Sequence, residues 1–259
     1  MTGLHVDVHD GRGPPLLMMH GFLSSRAQWT PNLEALRRVS TPVVIELLGH
    51  GRSPSPADPA AYAVEAYVAA FETLRERLGA ERWFVLGQSF GAGLTIRYAL
   101  THPDRVVGQV FTNSISGLSP PPKDDAATRL ARAEAVRSGG QRALQAMPFY
   151  PRPTKRWPAA ISRALVDDAP LLSPAGIAGT IAHTVQGLSV LEDLTRISVP
   201  TLLVNGVREA AFQPMRDRAV AEIAGLEAVD LDGGHAINLD QPEAFNTAVA
   251  AFIAKHALA

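Results

Sequence analysis

Short apolar runs alternate with longer amphipathic ones along most of this chain. Pro15–Met19, Thr41–Leu48, Trp83–Leu86, Val106–Thr112, Thr201–Val204 and Ala228–Leu231 are brief, apolar and partly β-branched. That pattern predicts strands buried on both faces. Between them, Tyr62–Leu78, Leu94–His102 and Pro242–His256 carry apolar residues at helical spacing. Pro103 stops the second of these helices. Strand–helix alternation predicts an α/β fold, a mostly parallel, doubly wound sheet with helices on both faces.

The alternation fails between Gly117 and Arg196. This stretch opens on Pro120-Pro121-Pro122, carries helical patterns and contains no convincing strand. It predicts a helical insertion, residues 117–196, between two parts of a core, 1–116 and 197–259. Such an insertion would lie as a cap, or lid, over the carboxyl ends of the strands, where open α/β sheets bind ligands. The alternative is an ordinary helical layer on one sheet face.

Against that frame, Gly87-Gln88-Ser89-Phe90-Gly91 stands out, because it joins the Trp83–Leu86 strand to a helix. A serine on so tight a turn lifts its hydroxyl above the sheet edge, within reach of substrate and base. Glycines at 87 and 91 are expected because side chains there would collide. Ser89 is therefore a candidate nucleophile. His235 follows the last predicted strand and two glycines, in the serine-then-histidine order this architecture needs, and is the candidate base. His20-Gly21-Phe22 ends the first long apolar strand. Here the backbone N–H groups of Phe22 and Phe90 would form an oxyanion hole, with His20 as a support behind it. Taken alone, the loop is also compatible with a plain strand-ending turn.

With these residues in place, the chain resembles the α/β-hydrolase superfamily, in an esterase- or lactonase-like form with a helical cap. The resemblance rests on His20-Gly21-Phe22, Leu48-Gly49-His50-Gly51-Arg52-Ser53, Gly87–Gly91, His102-Pro103-Asp104-Arg105-Val106, Val199–Val204 and Gly234–Phe245, in that order. It implies a triad carboxylate a few residues after the Val199–Val204 segment. Glu209 occupies that place where relatives carry aspartate, and would orient and stabilise the histidine. The alternative for Glu209 is a solvated side chain paired with Arg208. Glu46 and His50 receive structural roles, and Asn113 cannot supply the triad anion.

The implied activity is serine-dependent cleavage of a carboxylic ester or lactone through an acyl-enzyme, with no cofactor and no metal. Carbon–carbon bond hydrolysis, perhydrolysis and non-catalytic ligand binding are the alternatives within the fold. Trp29, Phe149, Tyr150 and Trp157 are candidate substrate contacts, or else core aromatics.

Composition narrows the partners. Lys+Arg 24 against Asp+Glu 25 gives a net charge of −1, which offers no broad field for nucleic acid or anionic membrane. The partner expected is a small molecule, and nothing in the sequence bears on oligomeric state. The 259 residues contain no cysteine, which excludes disulfides and thiol chemistry. With neither a secretion-signal layout at the start nor a membrane-spanning apolar run, the expected location is cytoplasmic.

Overall fold

Four consecutive residues of the first apolar run, Leu16, Leu17, Met18 and Met19, have no solvent exposure at all. Alternate side chains of a strand point to opposite faces, so only a sheet covered on both sides can bury all four. The computed structural model, which describes residues 3–257, shows such a sheet. Its strands are β1 (Val6–Val8), β2 (Pro15–Met19), β3 (Thr41–Ile45), β4 (Trp83–Gly87), β5 (Val106–Thr112), β6 (Thr201–Gly206) and β7 (Glu227–Leu231). They lie in the order β1-β3-β2-β4-β5-β6-β7. Every pairing is parallel except β1 with β3.

Leu17 and Met19 face a layer built from α2 (Val64–Arg77), α3 (Phe90–Thr101) and α8 (Gln213–Glu222), with Tyr67, Phe71, Leu94 and Tyr98 as its large members. Leu16 and Met18 face the opposite layer, α1 (Thr30–Leu36) and α10 (Pro242–His256), through Leu36, Phe245, Val249 and Phe252. Each such side chain removed from water contributes roughly 1.5–3 kcal/mol.

The sheet order reverses direction between β2 and β4. Chain leaving β2 crosses to β3 on one side, and chain leaving β3 returns to β4 on the other. Crevices at such switch points are where open α/β sheets take ligands. Residues from Ile115 to Arg196 contain only helical elements among those described. These are α4 (Ile115–Leu118), α5 (Ala126–Ala146, broken at Gly140), α6 (Ala159–Asp168), α7 (Pro174–Gly179) and short 3-10 and π turns. A last short helix, α9 (Ile237–Asp240), precedes α10. No helix among the described residues is long and apolar enough to cross a membrane.

The sequence pattern and the structure differ in instructive places. The third strand ends at Ile45 rather than Leu48, because its partner β2 ends at the facing residue, Met19. Glu46 then turns the chain, accepting a hydrogen bond from the Arg52 N–H (2.7 Å). The helix after Ser89 begins at once, at Phe90, since close packing against the sheet overrides the poor helix propensity of Gly91 and Gly93. Asp193, at the entry to β6, pairs with Arg97 (2.8 Å), a purely structural tie.

Trp29 requires a correction. Its indole is not at the strand ends but fully buried beneath the sheet, 6.4 Å from the Phe245 ring in the α1/α10 layer. The short 3-10 turn that carries it, Arg26–Trp29, points it inward rather than toward the crevice. Trp29→Ala should therefore lower the unfolding free energy by about 3–5 kcal/mol in a urea titration. A loss under about 1 kcal/mol would contradict this core position.

Candidate active site

The loops that follow four parallel strands meet at the switch point. Ser89 lies two residues beyond β4 with φ 52° and ψ −115°, a conformation that costs a non-glycine residue of order 1–3 kcal/mol. Two close approaches impose it. A Cβ on Gly87 would lie 2.5 Å from the Gly91 carbonyl oxygen, and one on Gly91 would lie 2.6 Å from that of Met19. Only glycine lets α3 start this tightly against β2 and β4. The Ser114 hydroxyl donates to the Ser89 carbonyl (2.6 Å), holding the turn from the β5 side.

His235 reaches Ser89 from the β7 end. Its Nε2 lies 2.8 Å from Ser89 Oγ, and its Nδ1 lies 2.9 and 3.0 Å from the two Glu209 carboxylate oxygens. Nδ1 donates to the carboxylate, which leaves Nε2 free to accept the serine proton. Burial by itself would raise the Glu209 pKa. The hydrogen bond and charge of His235, together with the Asn113 side chain, outweigh that and hold the carboxyl below its ordinary value. Arg208 is not the partner of Glu209; it pairs with Asp232 instead (2.6 Å).

The Glu209 turn and the His235 loop are zipped together beyond the sheet. Val207 N–H donates to Leu231 O (3.1 Å) and Arg208 N–H to Gly233 O (2.8 Å), prolonging the β6–β7 pairing. Asn113, at the end of β5, grips the Gly206 peptide on both sides, accepting from its N–H (2.8 Å) and donating to its carbonyl (2.9 Å). Gln88 donates to the His235 carbonyl (3.0 Å). Sequence reading missed Gln88 and the grip of Asn113, because each acts on a peptide far away in the chain.

His20-Gly21-Phe22 leaves β2 beside Ser89, so close that a Cβ on Gly21 would lie 3.3 Å from that of Ser89. Among the described residues, neither the Phe22 nor the Phe90 N–H donates to another group of the chain. The two rings stand 5.8 Å apart. Two buried imidazoles hold the loop. His50 Nε2 accepts from the Leu23 N–H (3.1 Å), fixing Leu23 at φ 57°, while its Nδ1 donates to Leu48 O (2.9 Å). His20 Nε2 accepts from the Leu47 N–H (3.2 Å), and its Nδ1 donates to Gly21 O (2.8 Å). Both roles require the neutral ring. Burial lowers the pKa of His20 to about 4; burial and the neighbouring His20 lower that of His50 to about 3.

The remaining aromatic candidates divide. Phe149 is 69% exposed and stacks on His235, with ring centroids 6.5 Å apart and planes at 29°. Tyr150 sits in an apolar cluster with Leu23, Leu144 and Leu172, next to Phe22. Trp157 packs with Ile161, Leu165 and Leu239 and donates to Asp240 (2.8 Å). Among the described residues no group of three or more His, Asp or Glu side chains is placed to hold a metal ion.

Comparison with known proteins agrees with this architecture. The sequence profile of the α/β hydrolase fold matches residues 14–139. A RutD protein of Pseudomonas savastanoi pv. phaseolicola, provisionally named a carbamate hydrolase, is 29% identical over 93% of each chain. Among solved structures, the enol-lactonase of Burkholderia xenovorans LB400 superposes with a TM-score of 0.78 at 22% identity, covering 97% of this chain and 96% of its own. MenH of S. aureus gives 0.82 at 18%, covering 99% of both. The chain has the α/β-hydrolase fold.

A pH dependence follows from the two supporting histidines. Unfolded, each has a pKa near 6.5; folded, each is depressed, so the unfolded chain binds more protons below that value. Their contribution is complete above about pH 6.5 and is lost as the pH falls toward 4 and then 3. Urea unfolding should register a loss on the order of a few kcal/mol between about pH 6.5 and 4.5, before most carboxylates protonate. A flat profile over that interval would contradict the neutral, buried assignment.

Proposed function

We propose that this chain is a serine hydrolase that cleaves a carboxylic ester or lactone through an acyl-enzyme. The observation that carries the reading is the continuous hydrogen-bonded chain from Ser89 Oγ through His235 to Glu209. Its order and polarity are those a hydroxyl nucleophile needs.

In this reading His235 Nε2 takes the Ser89 proton as Oγ attacks the carbonyl carbon. Charge develops on the carbonyl oxygen, and the unused N–H groups of Phe22 and Phe90 receive it. The second lies at the first turn of α3, where the helix dipole adds to the stabilisation. The imidazolium is balanced by Glu209. Collapse of the tetrahedral intermediate breaks the bond to the leaving group, which takes its proton from His235. Water, deprotonated by the same ring, then releases the acid and restores Ser89.

The helical segment 117–196 serves as a cap over this site. Three contacts support that role: Phe149 on His235, Tyr150 beside Phe22, and Asp168 accepting from the Ser25 hydroxyl of the oxyanion loop (2.7 Å). Phe149 and Phe22 present apolar surface to the acyl or leaving group. The likeness to RutD adds carbamates to the substrates to be tried, since a carbamate carbonyl is open to the same attack.

Hydrolysis of 4-nitrophenyl esters, lactones and aryl carbamates by three proteins tests the reading. Ser89→Ala should cut the rate on the order of 10³-fold or more. Glu209→Gln, which keeps the shape but loses the charge and the tautomer control, should cost roughly 10²- to 10⁴-fold. Turnover that survives Ser89→Ala would refute the mechanism.

A further inference from the structure

One buried carboxylate next to the candidate base has no part in the mechanism above. Asp240, at the end of α9, is only 7% exposed at its side chain and collects four donors. Gly234 N–H donates to Oδ2 (2.7 Å), within the loop that carries His235. The other three come from the cap: Arg156 Nε to Oδ1 (2.7 Å), Arg156 Nη2 to Oδ2, and Trp157 Nε1 to Oδ1 (2.8 Å). The guanidinium is clamped bidentately and also lies over the Trp157 ring, 5.8 Å from its centroid. It closes on the His235 loop so tightly that a Cβ on Gly234 would lie 2.7 Å from Nη2.

The same cap helix is fixed at its other end. Trp157 leads into α6, whose Ile161 and Leu165 rest on Ala27 and Leu239, and whose last residue, Asp168, accepts from Ser25. Helix α6 thus spans from the His235 loop to the oxyanion loop, and both attachments are polar and specific.

We propose that Asp240 and Arg156 are positioning residues, forming a latch through which closure of the cap sets the placement of His235. The inference rests on the catalytic reading above and adds a coupling to it. With the cap down, the Asp240 charge is matched by Arg156, and its carboxylate is free of competing geometry to hold Gly234 N–H. With the cap lifted, Asp240 keeps one donor of four. Opened to water, the carboxylate holds the Gly234 N–H through one backbone bond that solvent competes for, so the imidazole loses alignment with Ser89. Substrate that seats the cap thereby completes the site.

Steady-state kinetics on 4-nitrophenyl acetate across pH, with the full-length protein, test the latch. The charged groups around His235 are Glu209 on Nδ1, the Arg208–Asp232 pair and the Arg156–Asp240 pair. Arg156→Gln leaves Asp240 unmatched, so kcat should fall about tenfold and the acid limb of kcat/KM should move to higher pH, as an extra negative charge favours imidazolium. Asp240→Asn leaves Arg156 unmatched, so kcat should fall similarly while the limb moves to lower pH. The double variant should be no worse than the poorer single, with its limb back near wild type. Arg156→Lys should keep the wild-type limb and recover part of kcat. If Asp240→Asn does not fold, the Gln and Lys variants of Arg156 carry the test alone.

Unchanged kcat in Arg156→Gln, or losses that add without displaced pH limbs, would overturn the latch and leave the catalytic reading intact. Wild-type turnover that is absent, or that survives Ser89→Ala, would overturn the catalytic reading and the latch with it.

Discussion

Everything at the candidate site depends on one backbone constraint, the left-handed conformation of Ser89 between β4 and α3. The turn is tight because Gly87, Gly91 and the β2 end come within van der Waals distance of one another. That closeness delivers three things at once. It sets Oγ 2.8 Å from His235 Nε2, leaves the Phe90 N–H with no acceptor among the described residues, and brings the loop after β2 alongside, where the Phe22 N–H is likewise without one. The strain, of order 1–3 kcal/mol, is borne by a sheet whose central strands have no solvent contact on either face.

Around the strained turn stands a shell of polar groups that act on peptides rather than on substrate. His20 and His50 hold the loop after β2, Gln88 holds the His235 carbonyl, and Asn113 holds the Gly206 peptide from which the Glu209 turn departs. Hydrogen bonds of this kind are stronger in a dry interior than in water, and leaving one unmade costs more there. In the catalytic reading proposed above, preorganisation is therefore distributed over the loops after β2, β3, β4 and β5, and the proposed Asp240–Arg156 latch extends it into the helical segment 117–196.

Much of this was legible in the sequence, for physical reasons. Pro15–Met19, Val106–Thr112 and Pro242–His256 were delimited to the residue, since a doubly covered strand or a Pro-started amphipathic helix leaves an unbroken signal. Ser89 and His235 were legible because the glycines beside them report backbone geometry. β1 was missed: three partly exposed residues pairing antiparallel at the sheet edge carry little pattern. Helix α8 was missed because Ala219 is its one fully buried residue. Trp29 was misplaced because an aromatic in a loop looks the same whether it faces core or crevice. The latch was illegible because Arg156 and Asp240 lie 84 positions apart, and a charge pattern does not say which partner the fold supplies.

The measurement that tests the central claim most directly is intact-mass analysis after treatment with a 4-nitrophenyl phosphonate, followed by peptide mapping. An activated serine should take up one phosphonyl group, with loss of 4-nitrophenol, on Ser89. The adduct should fail to form in His235→Ala at the same exposure, because the base is gone while the hydroxyl remains. No adduct on the folded wild type, or an adduct on a residue other than Ser89, would contradict the account.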